Sequence, residues 1–294
     1  MDISIIIVSW NTRELLKKCI ESVLRYSSGV DYEIIAVDNA SPDGTAEMLD
    51  SYRHSEAKPK NLVKNAQASP TGSFASAQDD GRIKIIRNSE NKGFAKANNQ
   101  GIREAKGKYL LLLNPDTELT ENSLKKVFDK MSAPGGSAKG GEREASIGVL
   151  GCMLRNSDGS IQPSVRRFPR LRDIRVIFFK LYTLFPSLLD RYLAKDFDYS
   201  CEQEVDQVMG AFFCIRREVI EKIGLLDEGY FIWFEEVDFC RRAKKAGWKV
   251  VYWPDTSIIH HGGQSFVQVE TLKKQWWFFK SAIRYFMKTL NYKN

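Results

Sequence analysis

An aspartate follows directly after a long apolar run in the middle of the chain, a position suited to binding a cation. Residues 109–113 are uniformly apolar, which is typical of a strand buried on both faces of a parallel sheet. Asn114, Pro115 and Asp116 come next, and the proline ends the strand. Ligands of open α/β sheets bind outside the carboxyl ends of the strands, where Asp116 would offer oxygen to a hard divalent cation that holds a diphosphate. The alternative is an Asx-Pro turn that only ends the strand.

Two earlier predicted strands end in a similar way, so three polar side chains should meet at one edge of the sheet. Apolar runs at 3–8 and 32–37 are followed by Ser9 and Asp38. The repeated order of strand and helix predicts an α/β fold whose parallel strands have their carboxyl ends together. Acidic groups gathered in one crevice are costly without a positive ligand, which favours a site over a turn at Asp116.

The ligand expected at this edge is a nucleotide-diphosphate donor held by a metal and by side chains. Neither of the glycine-rich phosphate loops, G-x-G-x-x-G and G-x-x-x-x-G-K-[ST], follows the first strand. A nucleotidyltransferase would also need a glycine-rich loop there, which disfavours that class. Asp38 can accept hydrogen bonds from a base or a ribose.

A second group of acids lies at the start of a predicted helix, directly after an aromatic run. The helix dipole favours carboxylates in a first turn, which would explain Glu235 and Glu236 without any function. Asp238 has arginines three and four residues further on and suits a surface ion pair. Adjacent carboxylates beside Trp233 would instead raise one another's pKa, as a general base requires. Both interpretations stay open.

Two more polar residues stand at positions that favour a role. His260 follows the last predicted strand, where a histidine beside a metal-binding acid is a candidate ligand. Asn98 falls on the apolar stripe of the helix that starts near residue 94. It is either a buried amide that anchors the neighbouring loop or a residue that faces the ligand.

The composition is that of an ordinary globular protein with a basic surface. The chain has 294 residues, 43% hydrophobic and 28% charged, enough for one large α/β domain or two small ones. Its net charge of +7 favours an acidic partner, and without a nucleic-acid-binding motif we expect a nucleotide or an anionic membrane, not nucleic acid. Five scattered cysteines favour a reduced, cytoplasmic compartment. We see no signal peptide and no apolar run long enough to span a bilayer.

Four segments depart from the repeating pattern. Residues 54–81 and 132–146 are predicted to be disordered insertions. Residues 176–189 are apolar and follow a run of arginines; a segment on a membrane surface and a helix that covers the core are both open. Residues 270–294 combine aromatic and basic side chains at helical spacing, which is typical of an amphipathic helix with peripheral membrane contact. A helix that packs in a homodimer is the alternative.

Seven short motifs follow one another along the chain: VSWN (8–11), VDNASPD (37–43), NKGFA (91–95), LNPDT (113–117), MGA (209–211), FEEVDFC (234–240) and HHGG (260–263). In this order they resemble family 2 glycosyltransferases of the GT-A fold, closest to their rhamnosyltransferase-like branch. Each motif alone is weak, but the ordered set is specific and extends to about residue 266. The resemblance implies a GT-A domain at 1–266 with a Rossmann-like, mostly parallel central sheet flanked by helices. A C-terminal acceptor-side region and an amphipathic helix at 267–294 would complete it.

The resemblance also implies roles for individual residues. Asn114 and Asp116 match the first and last positions of the metal-binding D-x-D motif, and His260 matches a histidine that contacts the metal or the diphosphate. Glu236 matches the second acid of a Glu-Asp pair, the general base, with Glu235 and Asp238 next in line. The implied nucleotide-binding residues are Ser9, Asp38, Asn91, Gly93 and Asn114, and the acceptor side holds Gly210, Ala211 and Trp233.

Two departures from the family pattern bear on activity. Asn114 replaces an acid and removes one negative charge from the cation site, and Glu236 replaces an aspartate and lengthens the base by one methylene.

We expect inverting transfer of a sugar, with rhamnose a candidate, from a nucleotide-diphosphate donor with Mg²⁺ or Mn²⁺. The acceptor would be a hydroxyl of a glycan or lipid-linked sugar in cell-surface polysaccharide synthesis, at the inner face of the membrane. A catalytically inactive sugar-nucleotide or glycan-binding module of the same fold is the alternative.

Overall fold

The computed structural model describes residues 1–54, 82–133, 146–262 and 270–291. The two predicted disordered insertions lie outside these residues except at their ends. Within the described ranges, no helix is both long enough and apolar enough to cross a membrane.

Strands and helices alternate along the first half of the chain, as the apolar pattern predicts. The strands are β1 (Ile3–Ser9), β2 (Tyr32–Asp38), β3 (Ile83–Arg87), β4 (Tyr109–Leu113), β5 (Thr117–Leu119), β6 (Ile147–Arg155), β7 (Ile161–Gln162), β8 (Val165–Arg166), β9 (Gln203–Glu204), β10 (Gln207–Val208), β11 (Phe212–Arg216) and β12 (Lys249–His260). The helices are α1 (Arg13–Tyr26), α2 (Thr45–His54), α3 (Phe94–Glu104), α4 (Ser123–Ser132), α5 (Leu171–Phe178), α6 (Arg217–Ile223), α7 (Glu235–Lys245) and α8 (Thr271–Asn291), with 3₁₀ turns at Leu181–Thr183 and Pro186–Leu189.

The central sheet has the order β3-β2-β1-β4-β11-β6-β12-β5. Strands β1 to β4 pair in parallel, and β12 is parallel to β6. The antiparallel members are β11, between β4 and β6, and β5, beside the end of β12. The predicted mostly parallel α/β sheet is therefore confirmed. Ser9 lies beside Asp38 in the register, so the carboxyl ends of these strands share one edge.

Helices cover both faces of the sheet because its central strands are apolar on both sides. All seven residues of β1 are buried. Ile5 and Ile7 pack toward α1 and α4, whereas Ile6 and Val8 pack toward α3 and α7. This alternation follows from the two-residue period of a strand. The resulting three-layer core holds the carboxyl edge rigidly.

A smaller hydrophobic cluster connects the C-terminal part of the chain. It joins α5, the aromatic loop (residues 229–234), α7 and α8 through buried side chains such as Phe234 and Tyr285. The predicted amphipathic helix at 267–294 is thus present as α8 over its described residues, packed on its own chain. Residues 176–189 form the end of α5 and the two 3₁₀ turns, and several of their side chains are exposed.

The two asparagines in the middle of α3 have different partners. Asn98 is buried and donates its amide to the carbonyl of Phe94 in its own helix, at 2.9 Å. Asn99 anchors the loop after α6, donating to the carbonyl of Leu226 at 2.8 Å and accepting from its N–H at 3.1 Å. The anchoring amide expected at Asn98 is therefore supplied by its neighbour.

Candidate active site

A cleft of about 600 Å³ opens at the carboxyl edge of the parallel strands and extends to the start of α7. This volume is within the usual range for a ligand-binding site. The cleft is lined by ten of the predicted site residues: Asn91, Gly93, Asn114, Asp116, Gly210, Ala211, Trp233, Glu235, Glu236 and His260. Three predicted residues are not part of its lining: Ser9, Asp38 and Asp238.

Strand pairing brings Asp116 and His260 together at one end of the cleft. Strand β5 starts one residue after Asp116 and pairs with the last residues of β12, so that Thr117 lies opposite His260. The N–H of His261 donates to the carbonyl of Asp116 at 2.8 Å. His260 Nε2 lies 3.4 Å from Asp116 Oδ1, and both side chains are buried.

A glutamine missed by the sequence analysis sets the tautomer of His260. Gln162 donates its amide N–H to Asn156 Oδ1 at 2.8 Å, which leaves Gln162 Oε1 facing His260 Nδ1 at 2.6 Å. An amide oxygen can only accept, so Nδ1 carries a proton, and in the neutral imidazole Nε2 would present a lone pair beside Asp116. Nε2 is buried and has no hydrogen-bond partner among the described residues. Nothing in the local sequence marks Gln162, because its side chain contacts His260 of β12 only in the folded chain.

These two side chains fit a divalent cation. A carboxylate oxygen and a neutral imidazole nitrogen converge at one point, with the imidazole oriented by a hydrogen bond from its other nitrogen. Across the described part of the chain, no group of three or more His, Cys, Asp or Glu side chains could hold a metal. Mg²⁺ is commonly bound by one or two protein ligands together with water and substrate phosphates. The diphosphate of a donor would therefore supply the remaining ligands.

Asparagine side chains organise the same end of the cleft. Asn39 Nδ2 donates to Asn91 Oδ1 at 2.9 Å, and that oxygen also accepts from the N–H of Gly93 at 2.9 Å. Asn39 Oδ1 in turn accepts from Asn88 Nδ2 at 3.0 Å and from the N–H of Lys92 at 3.1 Å. The loop before α3 is thereby tied to the end of β2.

Ser9 and Asp38 lie behind this network. The hydroxyl of Ser9 is fully buried and bonds that of Thr12 at 2.9 Å. Asp38 is 3% exposed and accepts from the N–H of Ser41 at 3.0 Å. A direct contact of either with a nucleotide stays a prediction, and Asn39 is the neighbouring side chain that lines the cleft.

A strained turn directs the two glutamates into the other end of the cleft. Trp233 (φ 60°) and Phe234 (φ 70°) are consecutive left-handed residues, a conformation that costs non-glycine residues about 1–3 kcal/mol each. Phe234 is the N-cap of α7, so Glu235 and Glu236 form its first turn. The turn is preceded by Phe231, whose carbonyl accepts from the N–H of Phe94 at 2.7 Å.

Gly93 permits this close contact between α3 and the aromatic loop. Its φ is +82°, and a Cβ at this position would lie 2.5 Å from the carbonyl oxygen of Phe231. On the other side of the loop, the ring of Trp277 in α8 packs on Phe231 at 4.5 Å, and Phe278 contacts Phe234 at 5.4 Å. Both α8 residues line the cleft. The aromatic loop is thus held between α3 and α8.

Burial raises the pKa of both glutamates. The pKa of Glu235, which is 3% exposed, is raised well above its usual value by burial and then by the charge of Glu236. Burial also raises the pKa of Glu236, but the backbone N–H groups of Glu236 and Val237 and a hydrogen bond from Glu235 oppose the shift. If the pair holds one proton, the larger rise in pKa places it on Glu235 and leaves the negative charge on Glu236. Oε2 of each glutamate is buried without a hydrogen-bond partner among the described residues.

Asp238 does not line the cleft, and a catalytic role for it stays a prediction. Its carboxylate accepts from Arg242 at 2.8 Å and pairs with Lys288 of α8 at 2.7 Å, and it is 2% exposed. One oxygen is therefore engaged by Arg242 within α7, and the other fixes α8 to α7 through Lys288. The ion pair expected with the following arginines is present with Arg242, whereas Arg241 donates to Tyr285 at 2.9 Å.

Tyr192 and Arg166, which no sequence pattern predicted as site residues, also line the cleft. Burial, and after it the charge of Glu236, raises the pKa of Tyr192 to about 12, so Tyr192 stays protonated near the base. Arg166 is fixed by donating to the carbonyls of Pro163 and Val165 at 3.1 and 2.8 Å. It gives the cleft lining a positive charge. No local motif marks either residue.

The comparisons with known proteins agree with this architecture. The family model for glycosyl transferase family 2 matches residues 4–224. An N-acetylglucosaminyl-diphospho-decaprenol L-rhamnosyltransferase from Mycobacterium tuberculosis is 29% identical over 159 residues, covering 53% of this chain and 48% of the relative. Rhamnosyltransferase WbbL of Escherichia coli is 28% identical over 204 residues, covering 66% and 69%. The chain thus spans about half the length of the mycobacterial relative.

Solved structures show the same fold at low sequence identity. A Pyrobaculum calidifontis mannosyltransferase, PcManGT, in complex with GDP-Man and Mn²⁺ has a TM-score of 0.54 and 15% identity, covering 89% of this chain and 57% of that one. Staphylococcus aureus TarS 1–349 with UDP-GlcNAc has a TM-score of 0.54 and 14% identity, covering 92% and 62%. The predicted resemblance is confirmed: the chain has the GT-A fold and belongs to glycosyl transferase family 2.

Proposed function

We propose that the protein is an inverting glycosyltransferase. It would move a sugar from a nucleotide-diphosphate donor to a hydroxyl of a glycan or lipid-linked acceptor in cell-surface polysaccharide synthesis. One observation carries this proposal. A single cleft is lined both by Asp116 and His260, which would bind the cation, and by the adjacent carboxyl groups of Glu235 and Glu236.

Each end of the cleft has a defined task in this reaction. A divalent cation, when bound, would neutralise the diphosphate that leaves with the nucleotide. Asp116 and the Nε2 lone pair of His260 would hold it, and Gln162 would keep that lone pair available. Asn39 and Asn91 would position the rest of the nucleotide.

Glu236 would accept the proton of the attacking hydroxyl. Its carboxyl group has an unpaired oxygen, and a neutral Glu235 would stabilise the ionised form of Glu236 by a hydrogen bond. A base on the face of the sugar opposite the diphosphate supports a single displacement, which inverts the anomeric centre. Tyr192 and Arg166 would border the acceptor.

The relatives support particular substrates. Two of them are named rhamnosyltransferases, which favours rhamnose, and one of these is named for a sugar carried on a decaprenol diphosphate. A lipid-linked acceptor would agree with a chain that is basic and carries aromatic and basic side chains in α8. We accordingly propose that the protein works at the surface of a membrane.

A thermal-shift screen of UDP-, dTDP- and GDP-sugars, each with and without Mn²⁺, tests the donor end. A ligand at 100 times its Kd should stabilise the folded chain by about 2.7 kcal/mol, and we expect this only with the cation and for one nucleotide. A transfer assay with the stabilising donor and a lipid-linked acceptor tests turnover. Stabilisation without transfer or donor hydrolysis would identify an inactive sugar-nucleotide-binding module instead.

A further inference from the structure

Helix α8 carries apolar side chains on two opposite faces. Its inner face packs on the chain through residues such as Tyr285, which is 1% exposed. On its outer face Leu272, Trp276, Ile283 and Leu290 are 79%, 62%, 44% and 64% exposed. The spacings between these residues, of four, seven and seven positions, keep them on one line along a helix. Packing needs only one apolar face, so the fold does not account for the outer line.

The chain around the end of α5 adds a second group of exposed apolar side chains. Phe179 and Leu184, for example, are 65% and 75% exposed. The ring of Phe178 packs against Phe279 of α8 at 5.2 Å, which makes the two groups continuous. We define the docking surface as residues 178–185 together with Phe279 and the outer line of α8, namely Leu272, Trp276, Ile283 and Leu290.

The charges beside the docking surface are almost all positive. Helix α8 contains five basic residues and no acidic one. Two of the five pair with Asp227 on the inner side, and the other three are lysines. Within and just after α5, Arg172, Arg175 and Lys180 are exposed, whereas Asp173 is fully buried. The partner of this surface must therefore be apolar in part and negatively charged around that part.

We propose that the docking surface binds the face of an anionic lipid bilayer. Aromatic and aliphatic side chains bordered by lysine and arginine are the pattern of helices that lie in the membrane interface. A second copy of this chain fits less well. A two-fold dimer through this surface would place the same basic groups against one another.

The position of the docking surface relative to the cleft links it to the reaction. The inner side of α8 lines the cleft with Trp277 and Phe278 while its outer side carries the docking surface. A bilayer on that surface would hold the acceptor end of the cleft near the headgroups, where a sugar on a lipid diphosphate is presented. This link rests on the proposed function, whereas the lipid binding itself does not.

Sedimentation of the full chain with vesicles tests the docking surface. We expect binding to phosphatidylcholine vesicles that contain about 30% phosphatidylglycerol, at least tenfold weaker binding to phosphatidylcholine alone, and loss of binding near 1 M NaCl, where the Debye length is about 3 Å. The double substitutions Leu272→Ser with Trp276→Ser, and Phe179→Ser with Leu184→Ser, should each weaken binding about tenfold or more.

Two controls distinguish specific binding by the docking surface from nonspecific adsorption to vesicles and from the catalytic proposal. Ile161→Ser changes a side chain on β7 that is 43% exposed, close to the 44% of Ile283, but that is not part of the docking surface, and it should sediment like the unmodified chain. Glu236→Gln should bind vesicles normally even though turnover is lost. The proposal would be overturned if the unmodified protein did not sediment with anionic vesicles. It would also be overturned if the docking-surface variants bound these vesicles as tightly as the unmodified protein. So would a dimer in ultracentrifugation that the same variants dissociate, since the surface would then bind a second copy.

Discussion

The two ends of the cleft are built in different ways. At the donor end, neighbouring strands deliver Asp116 and His260, and one buried amide, Gln162, fixes the imidazole. At the acceptor end, Glu235 and Glu236 begin a helix from a strained turn that aromatic rings of α8 hold in place. The donor end therefore depends on sheet register, and the acceptor end depends on the packing of a distant segment.

This difference predicts how substitutions divide between the two ends. Changes at the donor end should affect cation-dependent donor binding, because the proposed function places the cation and the nucleotide there. Changes at the acceptor end should leave donor binding intact and affect turnover or acceptor binding. A substitution that altered both equally would show that the two ends are coupled.

The largest effect is expected from Glu236→Gln. The amide has nearly the same shape but cannot take a proton, and general-base catalysis is typically worth about 10²–10⁴-fold in rate. We expect kcat to fall by that factor while donor binding, measured by thermal shift with Mn²⁺, stays within a few-fold of the unmodified protein.

Glu235→Gln is the matched control for this substitution. It changes the adjacent buried carboxyl in the same chemical way, but its amide can still donate a hydrogen bond to Glu236. Turnover should therefore fall much less than in Glu236→Gln. If Glu235→Gln were the more damaging of the two, the base would have to be reassigned to Glu235.

Asp116→Asn should have the next largest effect, and this substitution should impair cation-dependent donor binding. The amide oxygen is a weak, neutral ligand, so the stabilisation of the protein by donor plus Mn²⁺ should disappear. We expect kcat/KM to fall by about 10²-fold, equivalent to roughly 2.7 kcal/mol of transition-state stabilisation. The matched control is Glu118→Gln, two residues away, whose carboxylate pairs with His261 at 2.8 Å and does not line the cleft. Retained Mn²⁺-dependent stabilisation in Asp116→Asn would exclude this metal site.

The contrast between sheet register at the donor end and segment packing at the acceptor end also explains which parts of the fold and the site can be predicted from the sequence. Buried parallel strands have uniformly apolar runs, so β1, β2 and β4 were predictable, and with them the placement of Asp116 near their carboxyl ends. Gln162 escaped prediction because its partner, His260, is reached only through sheet pairing far along the chain.

Predictions at the acceptor end were less complete for a related reason. Tyr192 and Trp277 enter the cleft through packing of segments that have no motif of their own. Asp238 was grouped with the glutamates because it is close in sequence, yet in the helix it turns toward Lys288 of α8. The left-handed conformation of Trp233 and Phe234 has no sequence signal, since such residues are usually glycine or asparagine.

Trp277→Ala should weaken the acceptor end by a smaller factor. The substitution removes the ring that packs on Phe231 at 4.5 Å and so loosens the aromatic loop that positions Glu236. An aromatic pair contributes about 0.5–1.5 kcal/mol beyond its buried area, so we expect about a tenfold rise in KM for the acceptor and unchanged donor stabilisation. Trp276→Ala is the control, because this adjacent tryptophan is 62% exposed on the outer face. With a water-soluble acceptor, Trp276→Ala should leave KM unchanged; a rise equal to that of Trp277→Ala would count against the packing explanation.

The smallest expected effect, and the sharpest test of the glutamate pair, is the pH dependence of kcat. The base must be ionised, and burial raises the pKa of Glu236, so turnover should rise with pH over a range above that of an ordinary glutamate.

Glu235→Ala should move the acidic limb of the kcat profile, and the direction of the shift depends on whether Glu235 is neutral or charged. If Glu235 is the neutral partner that donates a hydrogen bond, its removal destabilises the ionised Glu236 and moves the acidic limb of the kcat profile to higher pH. If Glu235 carried the charge, its removal would relieve repulsion and move the limb to lower pH. A shift to lower pH would therefore show that Glu235 is ionised and not the neutral partner of Glu236, while the donor end, measured by Mn²⁺-dependent donor binding, should be unaffected in either case.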